Sequence, residues 1–160
     1  MNRPRSATPA DFDQLADVFT ASVREVAASH YDAAQRDAWA PVTPDYAGWR
    51  ERFAGLQLWL VEAEDDHGHR RMAGFLGGTV DGHLDLLFTA PGFARRGVAA
   101  ALYQAFETHC RAQGTRTLRT EASLVARPFF ERQGFAVQEE QQVVRRGVVL
   151  RRFAMRRTLD

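Results

Sequence analysis

The chain of 160 residues contains no lysine and no isoleucine, so all 21 of its strongly basic side chains are arginine. Without lysine there is no GxxxxGK[ST] loop, and a P-loop nucleotide site is excluded. A single cysteine, Cys110, rules out an internal disulfide and a cysteine-based metal cluster. Cys110 lies at helical spacing from Leu102 and Phe106, which marks it as a buried, inert thiol and not a nucleophile. No apolar run approaches the roughly 18 residues of a membrane helix. The polar opening MNRPRSATPADFD also lacks the apolar stretch of a signal peptide. These absences predict a cytoplasmic protein with no membrane partner. The 20 acids nearly balance the arginines, and a formal net charge of +1 predicts no nucleic-acid binding by bulk charge. What is present, 45% hydrophobic residues with mixed charges over 160 positions, predicts one globular domain spanning 1–160.

Read in order, the chain begins with a possible short strand at 3–7. Thr8, Pro9 and Asp11 then supply an N-cap, a proline at the first helical position and an acid in the first turn. The helix they start, with Phe12, Leu15, Val18, Phe19, Val23 and Val26 on one face, is predicted to run to about residue 28. Asp32 with Gln35 resembles a capping box opening a short helix that ends near Trp39. Thr43 and Pro44 start a third helix, with Tyr46, Trp49 and Phe53 on one stripe and Gly55 placed to end it. From residue 56 the period changes. LQLWLVEAE has strand composition, EDDHGHRR is a polar turn, and 72–80 reads as a strand weakened by three glycines. Asp81-Gly82 signals a hairpin into the apolar strand 84–89. A helix over 98–113, a strand over 117–123, a short helix over 128–133 and a hairpin (135–145, 148–157) turning at Arg146-Gly147 complete an α+β arrangement.

The loop 91–99, PGFARRGVA, joins the apolar strand to the longest helix. Amides at a helix N-terminus have no intrahelical acceptor, and the helix dipole favours an anion there. Gly97 and Ala99 permit close backbone approach, while Arg95 and Arg96 offer charge-assisted hydrogen bonds. The loop therefore reads either as a cradle for a phosphate or pyrophosphate, or as an ordinary capped β-to-α turn.

Three segments together resemble the GNAT superfamily of acyl-CoA-dependent N-acyltransferases. The loop ARRGVA (94–99) is similar to the family pattern Q/R-x-x-G-x-G/A. The segment before it, LDLLFTAPGF, is similar to the family's apolar strand and proline-containing turn. EASLVARPFFERQGF (121–135) is similar to the family's N/S-x-x-A-x-x-F-Y-E-x-x-G-F segment. A softer similarity to a bacterial GNAT branch lies in ASHYDAAQRDAWAP. The resemblance implies a mixed, mostly antiparallel central sheet flanked by helices, with a splayed parallel strand pair. It also implies acetyl-CoA as co-substrate, with no metal. The pantetheine would pair with the main chain around Leu87, Phe88 and Thr89. The pyrophosphate would rest on the amides of Arg95, Arg96, Gly97, Val98, Ala99 and Ala100. Ala94, Ala126, Phe129, Phe130 and Arg132 complete the implied cofactor site. Two positions depart from the pattern: Ala94 stands where the family has Gln or Arg, and Phe130 stands where many members carry a tyrosine that protonates the leaving thiolate. A coenzyme A thiol, with a cysteine-like pKa of roughly 8.5, can leave as thiolate or take its proton from water.

The implied reaction is acetyl transfer to an amine, most simply of a small molecule, by direct attack in a ternary complex. Protein N-terminal or lysine acetylation is the alternative within the class, and a non-catalytic acyl-CoA-binding regulatory module is the alternative outside it. Attack needs a neutral amine and a base. Asp85 and Glu121 are the candidate bases, although Asp85 reads equally as a partner for an arginine or as the solvent-facing alternate of its strand. Ser123 reads as a residue that contacts the cofactor or positions a water, or as a helix cap. His30 and Tyr31 fall where the family walls its acceptor site, or at a surface junction. Trp39, Tyr46, Trp49 and Phe53 read as core or as acceptor lining. His67 and His69 read as solvated. The arginine pairs of the last hairpin read as a charged edge that discourages strand pairing. That hairpin and the early helices are also possible homodimer surfaces.

Overall fold

The computed structural model describes residues 1–26 and 31–160. Strands β1 (Arg5–Ser6), β2 (Gln57–Glu64), β3 (Arg70–Gly78), β4 (His83–Thr89), β5 (Thr117–Ser123), β6 (Ala136–Arg145) and β7 (Val148–Thr158) form one sheet of order β1-β2-β3-β4-β5-β7-β6. Every neighbouring pair is antiparallel except β4 with β5. The helices are α1 (Phe12–Ala21), α2 (Ala33–Trp39), α3 (Tyr46–Ala54), α4 (Val98–Ala112) and α5 (Arg127–Arg132). The result is the mixed, mostly antiparallel sheet with helical flanks that the resemblance implied.

Apolar periodicity decides which helix covers which face. Phe19 of α1 and Phe53 of α3 place their rings against Phe88 and Phe75, with centroids 4.8 and 5.9 Å apart. On the opposite face α4 lies close to β3, and the glycines that weaken this strand by propensity make that approach possible. A methyl group at Gly78 would stand 2.6 Å from the Phe106 ring, and one at Gly74 would stand 2.8 Å from Val98. The lost side chains of β3 are therefore replaced by helix packing.

The sheet opens at its centre. β4 and β5 pair only at His83 with Arg119 and Leu84 with Thr120. Just beyond, Gly78 lies opposite Leu84 and Gly77 opposite Leu86, so Asp85 is the extra residue of a β-bulge. A bulge bends its strand and re-aims its side chains, and here it turns the rest of β4 away from β5. It also explains how an acid interrupts an apolar strand, since Asp85 stands outside the regular ladder.

Several boundaries differ from expectation. The first helix loses α-helical hydrogen bonding after Ala21 and continues as a π-helical turn, Ser22–Val26. Its start is a single 3₁₀ turn, Pro9–Asp11, capped by Thr8. The third helix is capped by Asp45, whose carboxylate accepts from the Gly48 amide at 3.1 Å, and not by Thr43. β1 is only two residues long. Among the described residues, no helix is long and apolar enough to cross a membrane.

Candidate active site

Two cavities meet where β4 and β5 part. The smaller, about 270 Å³, is walled by Leu87, Phe88 and Thr89 of β4, and by Ala94, Arg95 and Ala99 at the head of α4. Its far wall is Val125, Ala126 and Phe129. From Leu86 onward β4 pairs with β3 but not with β5, which leaves one edge of its main chain open to this cleft.

The loop at the head of α4 has the features of an anion cradle. Gly97 is the N-cap at φ 79°, no side chain caps the helix, and its first turn contains no acid. The amides of Val98, Ala99 and Ala100 are thus left without partners inside the helix. A Cβ at Gly97 would meet nothing within 4 Å, so the space in front of the helix is open. Arg95 lines the cavity and itself holds a left-handed φ of 59°, an arrangement unusual for a branched-free L-residue outside a functional loop. Arg96 does not line it. Its guanidinium donates to the Glu64 carbonyl at 3.3 Å and lies over the Phe93 ring. Val98 is buried against β3, so only its main chain faces the loop. On α5 the structure brings Ala126 and Phe129 to the cleft but not Phe130 or Arg132. Phe130 is 2% exposed, its ring packed on Phe129 and Phe135 at 5.3 Å from each, and Arg132 projects to solvent.

The larger cavity, about 410 Å³, lies on the other side of Phe88, Trp39 and Ser123, three residues that border both spaces. Its floor carries Asp85, Leu86 and Glu121, and its walls include Tyr31 and Trp49. Asp85 accepts from Arg52 Nη2 at 3.0 Å, and the same guanidinium sits 5.1 Å above Trp49. Glu121 faces His83 across the parallel pair, with His83 Nε2 2.9 Å from Glu121 Oε1 and 3.2 Å from Oε2. His83 does not line the cavity, so it orients Glu121 from behind. Sequence reasoning missed this histidine. The only signal for it was its place two residues before Asp85, on the same face of the strand.

Ser123 Oγ accepts from the Ala126 amide at 3.1 Å, the geometry of a helix cap, while Ser123 also borders both cavities. The Tyr31 hydroxyl accepts from the Leu124 amide at 2.9 Å. Burial pushes the phenol upward, against the opposing pull of its bonds from Leu124 and Ser123, so Tyr31 keeps its proton at neutral pH. His30 lies outside the described residues. Of the aromatic stripe, Trp39 and Trp49 line the cavity, Phe53 is wholly core, and the Tyr46 hydroxyl donates to Asp17 at 2.5 Å.

The last hairpin is a charged edge with Arg145, Arg146 and Arg151 exposed, and it also faces the larger cavity. β6 is the sheet edge, but Arg145, Arg146, Arg151 and Arg152 line the larger cavity. Arg157 belongs to a separate network with Tyr103 and Glu107 of α4. His67 and His69 are exposed in a turn held by Asp65, which accepts from both their amides at 2.9 Å. Cys110 is fully buried, and burial with the nearby charges of Asp81 and Glu107 pushes its thiol up to about 11. Among the described residues, no group of three or more His, Cys, Asp or Glu side chains could hold a metal ion.

An Acetyltransferase (GNAT) domain profile matches residues 27–158. The chain is 34% identical over 152 residues to an uncharacterized N-acetyltransferase of Escherichia coli K12, YafP, covering 95% of this chain and 93% of that protein. A GCN5-related N-acetyltransferase from Rhodopseudomonas palustris superposes with a TM-score of 0.88 at 27% identity, covering 99% of both chains. At 17% identity the fold is shared with YncA of Salmonella typhimurium, a putative acetyltransferase solved with its cofactor acetyl-CoA (TM-score 0.67, 100% of this chain and 95% of that one). A bulged central strand, a parallel pair that parts beside it and an uncapped helix at the cleft thus occur in a chain that belongs to the GNAT acetyltransferase family and is an N-acetyltransferase.

Proposed function

We propose that the enzyme transfers the acetyl group of acetyl-CoA to the amine of a small molecule, by direct attack in a ternary complex. The observation that carries this reading is the meeting of the two cavities at Phe88, Trp39 and Ser123. One cavity has an anion cradle at its end, and the other has carboxylates on its floor. A donor in the first and an acceptor in the second reach each other directly; Ser123, the hydroxyl at the junction, accepts from the Ala126 amide as a helix cap, and Cys110 is buried away from both. The larger cavity has a volume of about 410 Å³, in the usual range for small-molecule sites, which favours a small acceptor over a protein segment.

Acetyl-CoA supplies an activated thioester. The protein's part is to hold, orient and move a proton. The amides of Arg95 to Ala100 and the Arg95 guanidinium bind the diphosphate, and the open edge of β4 at Leu87 to Thr89 pairs with the pantetheine. β5-facing N–H groups of β4 provide donors for the carbonyl oxygen as charge develops on it. Glu121, held by His83, takes the proton from the attacking amine, directly or through a water. Asp85, committed to Arg52, shapes the acceptor floor, and Tyr31 walls the site beside Ser123. With Phe130 in the core, no side chain of α5 protonates the leaving thiolate, which departs as the anion or is protonated by solvent.

Thermal melts with acetyl-CoA, followed by thiol release over a panel of amines with mass analysis of the product, test this reading. A raised melting temperature and an N-acetylated small molecule are expected. A melt unmoved by saturating acetyl-CoA, or no acetylated product from any small amine, contradicts it.

A further inference from the structure

Acetyl transfer by itself calls for a base and a thioester, and it leaves the charge of the acceptor cavity unaccounted for. Five arginines line this space against two carboxylates. Arg52 is paired with Asp85, and Glu121 is hydrogen-bonded to His83. On the hairpin, Arg151 pairs with Glu140 at 2.7 Å and Arg152 donates to Gln141 at 2.8 Å, both across the β6–β7 ladder. The side chains of Arg145 and Arg146, at the turn, make no ion pair or hydrogen bond among the described residues, yet both residues line the cavity.

A second observation points to the same place. Among the described residues only two non-glycine side chains hold a left-handed φ: Arg95 at 59° and Arg146 at 52°. Asparagine or glycine is the usual choice at such a position in a two-residue hairpin turn, and an arginine there bears a strain that a surface turn does not require. Arg95 borders the cofactor cleft, and Arg146 borders the acceptor cavity. Both side chains are exposed where they border the cavity, so two charges without a protein partner stand at its mouth.

Resting on the acetyl-transfer reading above, we infer that the acceptor is an amine bearing its own anionic group, a carboxylate, phosphonate or phosphate, and that Arg145 and Arg146 hold that group. Guanidinium pairs recognise such oxyanions through two parallel N–H···O bonds. The aromatic walls, Tyr31, Trp39 and Trp49, suit an apolar body between anion and amine. The same field serves the chemistry, because a cationic cavity disfavours a second positive charge and so favours the neutral, nucleophilic form of the amine.

The experiment measures thiol release from acetyl-CoA with matched acceptors: aliphatic and aromatic amino acids and aminophosphonates, their uncharged carboxamides or esters, and plain alkylamines. The wild-type enzyme is expected to prefer the anionic member of each pair by at least about tenfold in kcat/KM, the scale of losing one charge-assisted hydrogen bond. In Arg145→Gln/Arg146→Gln the preference should disappear through a higher KM for the anionic acceptors, with the KM for acetyl-CoA unchanged. Both side chains lie exposed and unpartnered at a turn, so the variant should melt as wild type does. Uncharged or alkylamine acceptors turning over as well as anionic ones, or a preference that survives the double substitution, overturns the inference and leaves the acetyltransferase reading standing. A raised KM for acetyl-CoA in the variant assigns the arginines to the cofactor and overturns it as well. Thiol release with no amine of any kind removes the acetyltransferase reading and this inference with it.

Discussion

Gly92 and Gly97 flank the loop that heads α4, and substituting each by alanine separates folding from cofactor binding. Both hold left-handed backbones, at φ 85° and 79°, and a Cβ at either would meet nothing within 4 Å. Sterically the two substitutions are equivalent, and each costs about 1–2 kcal/mol through φ alone. For a domain of this size that corresponds to a fall of roughly 2–8 °C in Tm for either variant without ligand. Only Gly97 is the N-cap of α4, so only there does the methyl enter the space through which a diphosphate reaches the first-turn amides. Losing one charge-assisted hydrogen bond costs about 1.5–3 kcal/mol, or roughly 10–150-fold in Kd. At a coenzyme A concentration near 100 times the wild-type Kd, wild type and Gly92→Ala should each gain about 2.7 kcal/mol of stability. Gly97→Ala should gain from about 1.4 down to a few tenths of a kcal/mol. Thermal melts of the three proteins with and without coenzyme A read both effects at once. A ligand-induced shift in Gly97→Ala equal to that of wild type refutes the assignment of the diphosphate to this helix end.

Three further outcomes follow from the packing and the site. Phe130→Tyr places a hydroxyl in the core between Phe129 and Phe135, so it should lose about 1–3 kcal/mol of stability in a melt and gain no turnover in a thiol-release assay; faster turnover would show that residue 130 can reach the leaving group. Glu121→Gln should lower kcat by about 10²–10⁴ and His83→Gln by less, with KM for acetyl-CoA unchanged in both; full activity in Glu121→Gln removes it as the base. The third concerns Glu107: burial pushes its carboxyl up, but bonds from Tyr103 and Arg111 and the charge of Arg157 outweigh that and hold it below 4.5. The stabilisation is present above 4.5 and lost as pH falls through the lowered folded value, so the Tm deficit of Glu107→Gln should be full at pH 7 and shrink in acid; a deficit independent of pH contradicts it.

Much of the loop at the head of α4 was legible in the sequence because its constraints are local. Gly97 before an apolar helix, two arginines and a preceding strand lie within a few residues of one another, and backbone chemistry links them. The larger cavity depends on register. His83 and Glu121 are 38 positions apart and meet only because β4 and β5 pair in parallel for two residues before parting. The bulge at Asp85 leaves a sequence trace, an acid in an apolar run, but that trace does not distinguish a base from an ion-paired residue; Arg52 on α3 supplies the partner. Alternation assigned the hairpin arginines to opposite faces, yet the turn curls over the cavity and brings four of them to it. Phe129 and Phe130 are neighbours on a helix of six residues, and only packing decides that the first faces the cleft and the second the core. The helix that stops short at Ala21 gives way to a π-helical turn, which neither a cap nor a breaker in the sequence announces.

Direct transfer between the two cavities is tested most simply by initial rates of thiol release, with acetyl-CoA and one accepted amine varied together. Intersecting double-reciprocal lines, with no acetylated protein detected by intact mass in the absence of amine, are the expected result. Parallel lines with an acetyl group on the protein would contradict it, because they require a covalent intermediate on a side chain such as Ser123, which borders both cavities.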